Sequence, residues 1–159
     1  MSKARPLSPV FCRFTDLPWN CQTRKVTAMS TQIPELAGIH HVKLPVTDLE
    51  RSRVWYQSRL GFEQAMEFSD GVKVIGLLLR HPRGGPDLGL WLDPDRAAAA
   101  AGFDYFVFGA TNRQALEALA ERLTALGEPH PGVHPGAAGW VLPHVKDPDG
   151  HELRFQCQE

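Results

Sequence analysis

Between His41 and Val46 the chain alternates, with Val42, Leu44 and Val46 on one side and His41 and Lys43 on the other. That period of two is the signature of a half-buried strand. Thr47-Asp48-Leu49-Glu50 follows as a capping box, the Thr47 side chain reaching forward to the backbone and Glu50 reaching back, and Gly61 suits a helix stop. The pattern predicts a helix from about Asp48 to Leu60. Phe62 to Phe68, Val72 to Leu79 and Leu88 to Leu92 read as three strands, separated by Ser69-Asp70-Gly71 and the turn-rich His81-Pro82-Arg83-Gly84-Gly85-Pro86.

The alanine-rich stretch from Pro94 to Gly102 reads as a connector with helical propensity but no amphipathic face. Then the plan repeats. Phe103 to Gly109 reads as a strand in which Phe106 and Phe108 alternate with Tyr105 and Val107, and Asn112 is placed to cap a helix. Leu116, Leu119, Ala120, Leu123 and Leu126 recur at helical spacing before Gly127. The Leu60-Gly61 and Leu126-Gly127 endings lie about 65 residues apart, which points to an internal duplication because the flanking elements also match. After Gly127 three strands fit again.

Asp147-Pro148-Asp149-Gly150 suits a three-residue hairpin loop with Gly150 left-handed, so that Asp147 faces His151. Counting outward pairs Lys146 with Glu152, Val145 with Leu153, His144 with Arg154 and Pro143 with Phe155. Paired residues share a face. Val141, Pro143, Val145, Leu153, Phe155 and Cys157 then cover a helix, and Leu142, His144, Lys146, Glu152, Arg154 and Gln156 form a polar face.

Composition narrows the function classes. A chain of 159 residues with net charge -1 fits one compact body and carries no basic footprint for nucleic acid. No apolar run reaches the roughly 18 residues of a membrane span, and Arg13, Asp16 and Arg24 interrupt any signal-like stretch, so the expected location is cytoplasmic. Cys12, Cys21 and Cys157 are an odd set that reads as reduced thiols. Residues 1–36, with Pro6, Pro9, Pro18 and Pro34 and no period, read as a poorly structured N-terminal extension, and Met29 offers an alternative start. His130 and His134 have helical metal-ligand spacing, but Pro131, Gly132 and Pro135 make the segment a loop.

The opening Gly38-Ile39-His40-His41-Val42-Lys43-Leu44-Pro45-Val46-Thr47-Asp48-Leu49 and the closing Asp147-Pro148-Asp149-Gly150-His151-Glu152-Leu153, with the repeat between them, resemble the vicinal oxygen chelate superfamily of glyoxalase, bleomycin-resistance and extradiol-dioxygenase proteins. The resemblance implies an α+β domain over residues 37–159. Two tandem βαβββ modules, at about 38–93 and 103–158 around the 94–102 connector, would form a curved, U-shaped mixed sheet around a small-molecule cavity. It also implies frequent homodimers.

In metal-using relatives the ligands are His, Gln or Glu on inner strand faces. Carried over, those positions fall on His41, Trp91, Tyr105 and Arg154, of which only His41 is a good ligand. The expected protein therefore binds or acts on a small polar or anionic organic molecule without the usual metal. Arg154 would stabilise charge, His41 or His144 would move a proton, and Lys43, Trp91, Tyr105 and Gln156 would contact the ligand. For Arg154 the plainer alternative is a rim charge paired with Glu152; for His144 it is a hydrogen-bonded sheet histidine. Two further functions stay open: an antibiotic- or metabolite-sequestering protein, and a metal-dependent lyase, isomerase or dioxygenase whose divalent ion sits on a displaced His41, His144 and Glu152 site.

Overall fold

The structure, a computed structural model, describes residues 35–158. The expectations for residues 1–34, including Cys12, Cys21 and the Met29 start, lie outside the described residues. Strand β1 (His41–Val46) is followed by helix α1 (Leu49–Leu60) and by β2 (Glu63–Ser69), β3 (Val74–Arg80) and β4 (Asp87–Leu92). The connector forms a short helix, α2 (Pro94–Ala100), whose N-cap Asp93 accepts from the Arg96 N–H. The second module runs β5 (Val107–Gly109), α3 (Arg113–Ala125), β6 (His134–Gly136), β7 (Gly139–Lys146) and β8 (Glu152–Cys157).

Topology supports the duplication directly. One four-stranded sheet has the order β1-β4-β3-β2 and the other β5-β8-β7-β6, so each module repeats the same connectivity four strands later. In both, the first strand runs parallel to the last and the other pairs are antiparallel. A parallel first and last strand requires a crossover, which α1 and α3 begin.

Helix α1 starts differently from the capping-box expectation. Asp48 is the N-cap, its carboxylate accepting from the Arg51 N–H at 2.9 Å, while Glu50 is taken by Arg53. Thr47 is engaged by the other module, as described below. The helix ends as expected at Gly61, which is left-handed with φ 77°, a conformation that costs glycine little. In α3 the Asn112 side chain accepts from the Ala115 N–H at 2.9 Å, and Leu116, Ala120 and Leu123 are buried; Leu126 ends the helix half-exposed. His130 docks its ring on the Ala120 carbonyl and the Thr124 hydroxyl, whereas His134 opens β6 instead of lying in a loop.

One hydrophobic core serves both modules. Leu44, Val46, Tyr56, Leu79 and Leu90 of the first join Leu116, Leu123, Leu142, Leu153 and Phe155 of the second. Small units sharing a core gain burial that neither reaches alone. Phe62 touches Phe108 edge-on at 6.0 Å, and Phe108 stacks on Phe155 at 5.1 Å.

Two further elements differ from the sequence expectation. The strand expected from Phe103 is ordered as β5 only from Val107, because the chain before it is displaced: Glu152 N–H bonds the Phe103 carbonyl, one residue out of step with the Val107–Arg154 pair. In β7 a bulge falls between Leu142 and Val145. Leu142, not Pro143, pairs with Phe155, and Val141 pairs with Gln156. Leu142 therefore joins the core and Val141 the opposite face. An extra residue in one strand exchanges faces beyond it.

Candidate functional site

Each sheet turns one face away from the shared core. In the first module, cross-strand pairs place Lys43 beside Gly89, Gly89 beside Leu78 and Leu78 beside Met66; the next row joins Pro45, Trp91, Gly76 and Phe68. Directly paired residues share a face, so these rows form one surface. A Cβ at Gly76 would lie 2.6 Å from Trp91 Cε3, so the indole lies flat on this glycine. The Lys43 ammonium sits 4.2 Å from the Trp91 ring centre, and Phe68 packs 5.9 Å away. A cation over an indole face is attracted by the ring quadrupole. The result is a flat apolar platform with a mobile-length cation above it.

His41 heads the same face, opposite Asp87. Arg80 holds Asp87 with two bonds, Nε to Oδ1 at 3.0 Å and Nη2 to Oδ2 at 2.7 Å, and this pairing keeps the carboxyl below its ordinary range. His41 Nδ1 and His40 Nδ1 are 3.0 Å apart, so one donates and the other accepts.

In the second module the corresponding face carries Val107 beside Arg154, Gly109 and Val141 beside Gln156, and Lys146 beside Glu152. The β7 bulge brings His144 to Glu152, with Nδ1 and Oε2 2.9 Å apart. His144 has φ 58°, the one positive φ at a non-glycine among the described residues. Such a conformation costs a side-chain-bearing residue on the order of 1–3 kcal/mol, and strain of this kind concentrates at functional positions. Arg154 is paired, but with Asp104 (Nε to Oδ2, 2.7 Å) and not with Glu152. Gln156 donates to the Ala138 carbonyl, and lines a cavity of about 470 Å³ with Val107, Gly109 and Thr111.

The residues singled out by sequence thus separate into groups. His41, Lys43 and Trp91 share the first face; His144 and Glu152 touch on the second, which Arg154 and Gln156 extend. Tyr105 lies ahead of β5, half-exposed, its ring against Phe103 and His151. Its neighbour Asp104 reaches Arg154 instead. Sequence reasoning missed Asp104, which the displaced approach to β5 brings inward, and missed Phe68 and Met66. Gly76 and Gly89 were the available signal for the platform, because glycine inside a strand marks close approach of another group.

A divalent cation fits this donor set poorly. The Trp91 and Arg154 positions offer no ligand, and no group of three or more His, Cys, Asp or Glu is placed to hold a metal among the described residues.

Behind the sheets a buried network joins the modules. Tyr56, wholly buried, donates to Asp147 Oδ2 at 2.9 Å, and burial followed by the Asp147 charge pushes its hydroxyl pKa well up. The same carboxylate bonds His151 Nδ1 at 2.9 Å and accepts the Asp149 and His151 N–H groups on its other oxygen. The sequence turn Asp147 to His151 is therefore an inter-module fastening. No described helix is long and apolar enough to cross a membrane.

Residues 38–155 match the model of the Glyoxalase/Bleomycin resistance protein/Dioxygenase superfamily, and the chain belongs to that superfamily. The Bacillus subtilis (strain 168) protein YqjT is 25% identical over 127 residues, covering 70% of this chain and 91% of its own. TnmS3, an antibiotic binding protein from Streptomyces sp. CB03234, superposes with TM-score 0.65 at 19% identity, over 80% of this chain and 100% of its own. Lactoylglutathione lyase from Agrobacterium tumefaciens gives 0.62 at 19% identity, over 78% and 96%. At these identities the two structures establish the shared fold.

Proposed function

We propose that this protein binds a small organic anion on the sheet faces turned from the core and moves a proton on it without a metal ion. The observation that carries the reading is the left-handed bulge at His144, which seats its ring on Glu152. A carboxylate on Nδ1–H fixes the tautomer and leaves the Nε2 lone pair free to accept a proton. Such a base suits a carbon next to a carbonyl, where abstraction leaves an enolate. Arg154 supplies positive charge for that enolate, with Asp104 holding its guanidinium in place. Lys43 pairs with a ligand carboxylate while Trp91 and Phe68 support its flat part, and Gln156 offers further polar contact. His41 is the second group able to exchange a proton on the first face.

The test uses the small molecule that co-purifies with the protein. Incubated with wild-type protein in D2O, it takes up one deuterium at carbon, and both His144→Gln and Glu152→Gln slow this uptake. Exchange at wild-type rate in His144→Gln overturns the base assignment.

The Lys43, Trp91 and Phe68 platform favours one other reading, a sequestering protein. TnmS3, which shares the fold, is an antibiotic binding protein. In that case the molecule binds and no deuterium enters it.

A further inference from the structure

The platform and the dyad leave unused a groove of about 490 Å³ between α1 and the β7–β8 turn, with Val54, Trp55, Arg59, Glu128, Lys146 and Pro148 in its lining. We propose that this groove is a second ligand site, which meets the second sheet face at Lys146, and that it takes a small amphipathic monoanion. Its size falls within the range of small-molecule sites. Both modules build it, α1 on one side and Glu128 with the 146–148 segment on the other.

The charges decide the ligand class. Arg59 is committed to Glu128 at 2.8 Å, Arg51 to Asp149 at 2.8 Å, and Glu50 to Arg53 at 2.6 Å. Asp147 gives its carboxylate to Tyr56 and His151. Lys146 alone among these lining charges has no hydrogen bond or ion pair among the described residues. The Asp147 carboxylate is buried while Lys146 is exposed, so Lys146 is the accessible lining cation without a partner among the described residues and can meet one anionic group on a ligand.

The apolar half comes from Pro148, the edge of Trp55, and Val54, which is 45% exposed. The walls are held before any ligand arrives. Glu128 Oε1 accepts from both Trp55 Nε1 at 3.0 Å and Arg59 Nε at 2.8 Å, and Arg59 Nη1 bonds the Ser58 hydroxyl at 2.8 Å. Rotors fixed in advance lower the entropic cost of binding. The second Arg59 nitrogen, Nη2, stays available to share the ligand's anionic group with Lys146.

The probe is 1-anilinonaphthalene-8-sulfonate, a monoanion with a flat apolar body, titrated into isotope-labelled full-length protein. Indole N–H resonances are assigned with Trp55→Phe and Trp91→Phe. The expected result is saturable binding that moves the Trp55 resonance and weakens about tenfold or more in Lys146→Glu and in Val54→Asp. Both substitutions are at exposed positions. Absence of saturation, saturation with Trp55 unmoved, or wild-type affinity in both variants overturns the proposal. Because neither residue belongs to the His144 and Glu152 pair, failure here leaves the deuterium-exchange test standing by itself.

Discussion

Asp149 in the β7–β8 turn and Thr47 at the end of β1 meet through a single carboxylate oxygen, 3.1 Å from the Thr47 N–H and 2.5 Å from its hydroxyl. Arg51 Nη2 reaches the same oxygen at 2.8 Å, and Ser52 donates to the other at 3.1 Å. One module's hairpin therefore binds the start of the other module's helix. Removing the carboxylate strands several donors at once, so Asp149→Ala should cost about 2–4 kcal/mol. Asp48→Ala, which removes only the α1 cap, should cost about 1 kcal/mol. Urea unfolding of both variants measures the difference, and equal losses would refute the fastening role.

The same contact sets a pH dependence. Burial raises the Asp149 pKa, and the bonds from Thr47 and Ser52 with the Arg51 charge outweigh it, leaving the folded value lowered. A lowered folded pKa gives stability that is complete above the unfolded value, about 4, and is lost as pH falls below it. Wild-type stability should decline through that range. Asp149→Asn should start lower and decline less steeply, as followed by thermal unfolding at a series of pH values.

Gly76 and Gly89 should respond differently to alanine. A Cβ at Gly76 meets the rigid Trp91 ring at 2.6 Å, whereas at Gly89 the nearest atom is the flexible Lys43 Cγ at 3.3 Å. Gly76→Ala should cost about 1–3 kcal/mol and shift tryptophan fluorescence. Gly89→Ala should change stability by less than about 1 kcal/mol, because a side chain can yield where an indole on a sheet cannot.

His144→Gly should separate strain from chemistry. Glycine adopts φ 58° without the penalty a histidine pays, so the variant should gain about 0.5–1 kcal/mol in stability while proton transfer is lost. Thermal unfolding reports the first effect and deuterium uptake the second. A variant that is destabilised by more than about 1 kcal/mol would show that the His144–Glu152 contact outweighs the strain.

Much of the fold was legible because its signals are local. The β1 alternation, the Asn112 cap, Gly61, and the Asp147 to Gly150 turn each follow from the residue's own backbone preference. The bulge was not, since histidine at positive φ has no local advantage and only its Glu152 partner makes the position worth occupying. The turn chemistry fixed the register as far as Val145 and Leu153, and the bulge altered it two residues later. Arg154 was placed on the correct face, but its partner Asp104 comes from a stretch whose departure from strand geometry depends on Phe103 bonding Glu152. The role of Asp147 and His151 as a module fastening was likewise invisible, because it rests on Tyr56, about 90 residues away in sequence.

Native mass spectrometry of the full chain purified from its own host decides whether a small organic anion is handled without a metal. The expected result is a bound organic molecule at one per chain, no stoichiometric nickel, zinc, manganese or iron, and loss of the molecule in Lys43→Ala. One metal ion per chain that disappears in His41→Ala would contradict it.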